Sequence, residues 1–153
     1  MVNALSSCMP KKILKLFPTP SDCEAAFYDA IERADLNLMS AVWADDPDAI
    51  CIQPHGPRLA GFPAIRASFA AYFSVSANPG LKISEYRRHD GPTLAIHSVY
   101  ETFMQPNGEP MPPFLATNAY ILTPNGWRLI LHHASPSPRG TTAEEQGVGR
   151  ILH

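Results

Sequence analysis

Apolar residues in the first third of the chain recur at helical spacing. Cys23, Phe27, Ala30, Ile31, Ala34 and Leu38 follow an i, i+3, i+4 pattern behind Ser21-Asp22-Cys23-Glu24, which reads as an S-x-x-E capping box. Asp35 is placed to cap a further helical stretch toward Trp43 and Ala44, which Asp45-Asp46-Pro47-Asp48 ends because the residue before proline leaves the α region. "AICIQP" (49–54) reads as a short strand and Pro54-His55-Gly56-Pro57 as a turn. Gly61-Phe62-Pro63 opens another helix with the stripe Ile65, Phe69, Tyr72, Phe73.

From Leu81 the period becomes two. "LKISEYRR", "TLAIHSVYETFM", "FLATNAYIL" and "WRLILHHA" are separated by turns rich in Gly, Pro and Asn. Helices followed by an antiparallel meander predict an α+β fold. The expected organisation is an N-terminal arm (1–19), one α+β domain (20–135) and a Pro/Gly/Thr/Glu-rich C-terminal tail (136–153).

Strand alternation sorts the side chains. In the last strand Arg128, Ile130, His132 and Ala134 share one face, and Trp127, Leu129, Leu131 and His133 the other. The adjacent histidines then separate, which argues against a two-histidine metal site. A three-residue turn centred on Asn125 sets Asn118 opposite His132 and Tyr120 opposite Ile130. One register of the longer preceding hairpin sets Val99 opposite Asn118 and His97 opposite Tyr120, with Glu101 diagonal to Asn118.

His97, Glu101, Asn118, Tyr120, Arg128 and His132 then converge on an apolar wall of Val99, Phe103, Leu122 and Ile130, as a small-molecule pocket requires. His97 and Glu101, about 13 Å apart along one strand at ~3.3 Å per residue, read as acid–base groups or as hydrogen-bonded lining. Tyr28, Trp43 and Tyr72 reach toward the cavity from the helices, or pack in the core. The opposite sheet face, bearing Trp127, Leu129 and Leu131, is too apolar for water, and a second subunit is the expected cover.

Composition narrows the function classes. The chain has 153 residues, 45% hydrophobic and 17% charged, with a net charge of −2. That size suits one domain, and that charge argues against nucleic acid as a partner. No run is long enough for a transmembrane helix. Cys8, Cys23 and Cys51 leave one thiol unpaired in any disulfide scheme, and no C-x-x-C occurs, which points to reduced thiols and the cytoplasm. Asp45, Asp46 and Asp48 lack the spacing of a calcium loop, and no P-loop, dinucleotide fingerprint or Ser-His-Asp order is present, so neither a metal nor another cofactor is expected.

"AVWADDPDAICIQPHGPRLAGFPAIRASF" and the closing "GWRLILHHAS" resemble the nuclear transport factor 2-like superfamily, in its SnoaL-like, polyketide-cyclase-like branch. The resemblance spans about Ser21 to Ser135. It implies a cone-shaped, cystatin-like α+β fold: a curved antiparallel sheet around N-terminal helices, a pocket at the mouth, and frequently a dimer through the sheet. In ketosteroid isomerases of that superfamily a tyrosine and an aspartate supply the oxyanion donor and the base. Phe27 and Gln53 stand at the matching positions, and neither side chain can play those parts.

The calcium/calmodulin-dependent kinase association domain is similar too, but its pocket arginines fall on Val99, Asn118 and Ala134. Many SnoaL-like relatives carry His-Pro-x-Gly where this chain has Gln53-Pro54-His55-Gly56, so His55 does not inherit that histidine's role.

Three functions remain open. The first is a homodimeric, cofactor-free binder of a small, largely apolar molecule, with Tyr28, Trp43, Gln53, Val99, Asn118, Tyr120 and Ile130 around the ligand. The second is a cofactor-independent isomerase, cyclase or dehydratase in which His97 or Glu101 takes a proton while Asn118, Tyr120 or His132 stabilises charge. The third is an oligomerisation module with a vestigial pocket.

Overall fold

The computed structural model describes residues 16–138; the remainder of the expected arm and tail, including Cys8, lies outside the described residues. Three helices, α1 (Pro20–Arg33), α2 (Leu36–Val42) and α3 (Phe62–Val75), pack on a six-stranded sheet. Its strands are β1 (Ile50–Ile52), β2 (Arg58–Ala60), β3 (Lys82–Asp90), β4 (Leu94–Thr102), β5 (Phe114–Thr123) and β6 (Gly126–Pro136), in the order β2-β1-β6-β5-β4-β3. This is the expected α+β cone with one correction. The meander β3–β6 is antiparallel, but β1 joins β6 in parallel, with Cys51 beside His132, so the sheet is mixed. The short hairpin partner β2 was not anticipated from the sequence. Among the described residues no helix is long and apolar enough to cross a membrane.

The capping box lies two residues earlier than S-x-x-E suggested. Thr19 is the N-cap, its hydroxyl accepting from the Asp22 amide at 3.1 Å while Asp22 Oδ2 accepts from the Thr19 amide. Proline at the first helical position favours that boundary, because its missing N–H is not needed there. Glu24 is thereby free to point inward, where it is 2% exposed. Asp35 caps α2 as expected, accepting from the Leu38 amide at 2.9 Å. Trp43 then leaves the helix extended and bridges Leu129, ending α2 before the acidic turn.

The last hairpin determines which side chains face the core. Thr123 pairs with Gly126 across Pro124-Asn125, and further along Ala119 pairs with Leu131 but Tyr120 with Leu129. Ile130 is therefore an extra, unpaired residue, a β-bulge. The bulge reverses the alternation, so Trp127, Leu129, His132 and Ala134 are all buried. The face expected to carry Trp127, Leu129 and Leu131 to a partner is thus corrected: Trp127 and Leu129 belong to the core, and Leu131 alone of the three points outward with His133. Asn118 stands opposite His132 as expected, because a two-residue turn plus one bulged residue equals a three-residue turn in register. Tyr120 faces Leu129 rather than Ile130.

The β4–β5 register differs by two residues from the expected one: His97 pairs with Asn118, Val99 with Ala116, and Ala95 with Tyr120. A long connection does not dictate register, and a two-residue shift keeps every side chain on its face.

Arg128 points away from the cavity, toward the arm. Its guanidinium donates to the carbonyls of Leu16, Trp127 and Asn125 and stacks over Phe17, while the Trp127 amide donates to the Phe17 carbonyl. Gly126 permits this approach: its φ is +107°, and a Cβ there would stand 1.8 Å from the Leu16 carbonyl oxygen. Gly126→Ala should therefore lower stability by roughly 1–3 kcal/mol, read as a lower urea midpoint. An unchanged midpoint would mean that the Leu16–Phe17 segment is not held at this turn.

Candidate functional site

Two buried polar clusters lie between α1 and the inner sheet face, and Tyr28, Glu101, Asn118 and His132 form the first. The Tyr28 hydroxyl donates to Glu101 Oε1 at 2.8 Å, and Asn118 Nδ2 donates to the Tyr28 oxygen at 2.8 Å. Asn118 Oδ1, an acceptor only, lies 2.6 Å from His132 Nδ1, so the imidazole carries its proton on Nδ1. The chain of donation thus runs from His132 through Asn118 and Tyr28 to Glu101. His132 Nε2 returns to within 3.9 Å of Glu101 Oε1, too far for a hydrogen bond.

Burial acts oppositely on the two ends. It pushes the Glu101 carboxyl up to about 7 from an ordinary 4.5, although the Tyr28 hydrogen bond pulls the other way. It pushes His132 down to about 3, with the neighbouring His133 adding to the fall. At neutral pH, then, His132 is a neutral imidazole presenting an Nε2 lone pair, and Glu101 is close to half-protonated.

Both groups open on a cavity of about 340 Å³. Its walls are Ile31, Phe69, Tyr72, Leu81, Phe103 and Phe114, with Gln53, Pro54, His55 and Ser68 beside them. That volume is a little over twice the ~150 Å³ in which an apolar cavity holds benzene. His55 stands in the β1–β2 turn at φ +61°, a left-handed conformation rare for residues other than glycine. No group of three or more His, Cys, Asp or Glu among the described residues is arranged to hold a metal.

The second cluster surrounds His97. Its Nδ1 lies 2.8 Å from Glu24 Oε2 and its Nε2 2.6 Å from Asp90 Oδ1. Arg88 donates twice to Glu24 Oε1, and the Tyr120 hydroxyl donates to Glu24 Oε2. Burial works against charge on the imidazole, yet hydrogen bonds to the two carboxylates outweigh it and raise its pKa. Neither ring nitrogen is left for a ligand, so His97 fastens α1 to the β3–β4 hairpin.

The sequence-predicted site residues therefore divide. Glu101, His132 and Gln53 line the cavity. Tyr28 and Asn118 stand behind it, holding Glu101 and His132. His97 and Tyr120 belong to the separate charged cluster. Val99 and Trp43 are core, Trp43 packing against Phe27 and Phe69, and Ile130 is the bulged residue. Strand alternation places Phe103 on the cavity side, where it does form wall, and Leu122, which is instead 44% exposed; it could not reveal the wall residues Ile31, Leu81 and Phe114, nor His55 and Ser68. Their only signal was apolar or turn character in elements that the fold brings together.

A family model described as a SnoaL-like domain matches residues 21–139. A structure from Thiobacillus denitrificans, named as a candidate calcium/calmodulin-dependent protein kinase type II association domain, is 36% identical, covering 80% of this chain and 98% of that one at a TM-score of 0.74. A candidate dehydratase of the nuclear transport factor 2-like family from Streptomyces avermitilis is 26% identical over 75% of this chain and 91% of its own, at 0.68. A candidate ketosteroid isomerase from Parabacteroides distasonis, 15% identical over 78% and 89% at 0.64, shares the fold. Among curated proteins none matches this chain.

The raised Glu101 pKa has a thermodynamic consequence. A carboxyl whose folded value exceeds its unfolded value adds stability below about pH 4.5, and loses it as pH rises toward about 7. Glu101→Gln keeps an acceptor for Tyr28 and cannot ionise. It should match the wild type in urea unfolding at pH 4 and exceed it by roughly 3 kcal/mol at pH 8. A pH-independent difference would mean that Glu101 is not held neutral by burial.

Proposed function

The chain belongs to the SnoaL-like domain family, with a cone-shaped nuclear transport factor 2-like fold, and from that premise we propose that it binds a small, largely apolar molecule in the cone cavity and moves a proton on it. The observation that carries this reading is the pairing of Glu101 and His132: two titratable groups on one apolar cavity, driven apart in pKa by their surroundings. Such divergence separates an acid from a base in enzyme sites. Glu101, when ionised, takes a proton from one substrate atom and, once neutral, returns it to a second carbon or to the leaving oxygen, while His132 Nε2 accepts a hydrogen bond from the substrate. Asn118 and Tyr28 are positioning residues, the first holding the imidazole tautomer and the second the carboxyl.

The reaction class is a cofactor-independent elimination or isomerisation, and the naming of the 26%-identical Streptomyces avermitilis structure as a candidate dehydratase supports it. The cavity's size weighs against a vestigial pocket.

The outer sheet face supports a homodimer. Ile96 and Leu94 are 45% and 47% exposed, adjoining Ile121, Ala119 and Leu131 on the neighbouring strands. A contiguous apolar face of this kind is unusual on a monomer.

Native mass spectrometry of freshly purified protein should show a co-purified small molecule, whose identification supplies the substrate. With that substrate, Glu101→Gln should lower kcat by a hundredfold or more with little change in KM. Turnover that survives intact would leave a binding protein. Ile96→Asp should convert a dimer into a monomer in light scattering; a wild type already monomeric at tens of micromolar refutes the dimer.

A further inference from the structure

The gap between Glu101 and His132 has a geometry that selects its occupant. Oε1 of Glu101 already accepts from Tyr28, so the proton of the neutral carboxyl sits on Oε2, which takes no hydrogen bond among the described residues. Nε2 of His132 is a bare lone pair because Nδ1 holds the proton. The recorded approach of the two groups, Nε2 to Oε1, is 3.9 Å, so a donor on Oε2 and an acceptor at Nε2 face the cavity with no hydrogen bond recorded between them. Among the described residues no Lys or Arg lines the cavity, and its walls are mostly apolar.

From this geometry we infer that the ligand is a neutral, one- or two-ring hydrocarbon skeleton carrying a hydroxyl, whose oxygen accepts from Glu101 Oε2–H and whose hydrogen is donated to His132 Nε2. The inference rests on the cavity reading above and names the class of molecule that the cavity takes. A carboxylate or phosphate finds no cation and meets an imidazole lone pair, so it is excluded at the cost of its own desolvation. An ammonium ion finds acceptors, but it requires Glu101 ionised, and an ion pair must then be desolvated among Phe69, Phe103 and Phe114.

The hydroxyl is recognised by the protonated carboxyl, so its affinity falls as pH rises through the Glu101 pKa near 7. The titratable groups around Glu101 are Tyr28 from α1, Cys51 from β1 and His132 from β6, with His55 and Tyr72 at the cavity wall. Tyr28 and Cys51, both raised by burial, stay protonated across this range, and His132 stays neutral above about pH 3.

Four probes on one skeleton test the inference in calorimetric titrations of the full chain at pH 6 and pH 8: tetralin, 2-tetralol, 2-aminotetralin and tetralin-2-carboxylate. At pH 6 the alcohol should bind roughly tenfold tighter than the hydrocarbon and the carboxylate more weakly than either. At pH 8 the alcohol's advantage should shrink severalfold. Glu101→Gln, whose amide still donates, should bind the alcohol equally at both pH values, and His132→Phe should abolish its advantage while leaving tetralin bound. Tightest binding by the carboxylate or the amine overturns the inference, as does an alcohol indistinguishable from tetralin, and in those cases the cavity reading stands. Failure of all four probes to bind overturns both.

Discussion

A single unpaired residue, Ile130, orders the interior of this protein. A strand of regular alternation could not turn Trp127, Leu129, His132 and Ala134 to the same side, because 129 and 132 differ by an odd number. The bulge at Ile130 absorbs that odd residue. On one side of it Trp127 and Leu129 fill the core beneath the helices. On the other, His132 reaches Asn118 and Ala134 is buried. Without the bulge either the core would lose its large side chains or the cavity would lose its histidine.

The two buried polar clusters meet the cost of burial in different ways. Around His97 the charges balance: Glu24 and Asp90 face an imidazolium and the Arg88 guanidinium, and each ring nitrogen has a carboxylate. Such a network is consistent with a structural fastening, since every strong donor has its acceptor. Around Glu101 they do not balance. Among the described residues no cation accompanies the carboxyl, so burial pushes it toward its neutral form, and the imidazole is left neutral as well. Unbalanced, open to the cavity and shifted in opposite directions, that pair carries the proposed chemistry, because perturbed titratable groups of this kind cluster at functional sites.

Much of the fold was legible in the chain because its signals are local. The stripe Cys23, Phe27, Ala30, Ile31 marks α1, Asp35 its successor, Gly61 and Pro63 the start of α3, and Gly-, Pro- and Asn-rich turns divide the β-meander. The boundary of α1 was misplaced because two overlapping capping patterns compete, and Thr19 with Pro20 prevails. The site was legible in part. Alternation put Glu101, Asn118 and His132 on one inner face, and that assignment needs only parity. It also put His97 and Tyr120 there, and parity cannot tell that His97, paired with Asn118, and Tyr120, two pairs beyond it, meet Glu24 rather than the cavity.

The sequence by itself determined the element types, the order of helices and strands, and which residues of β4 and β5 share a face, because each depends on neighbours only a few positions away. Tertiary structure alone decided the bulge in β6, the parallel seating of β1, the two-residue offset between β4 and β5, and the partition of polar residues into one fastened cluster and one open to a cavity. Those features depend on which side chains fill the space between α1, α3 and the sheet. Packing of that kind is set by residues up to about a hundred positions apart, as when Asn118 of β5 meets Tyr28 of α1.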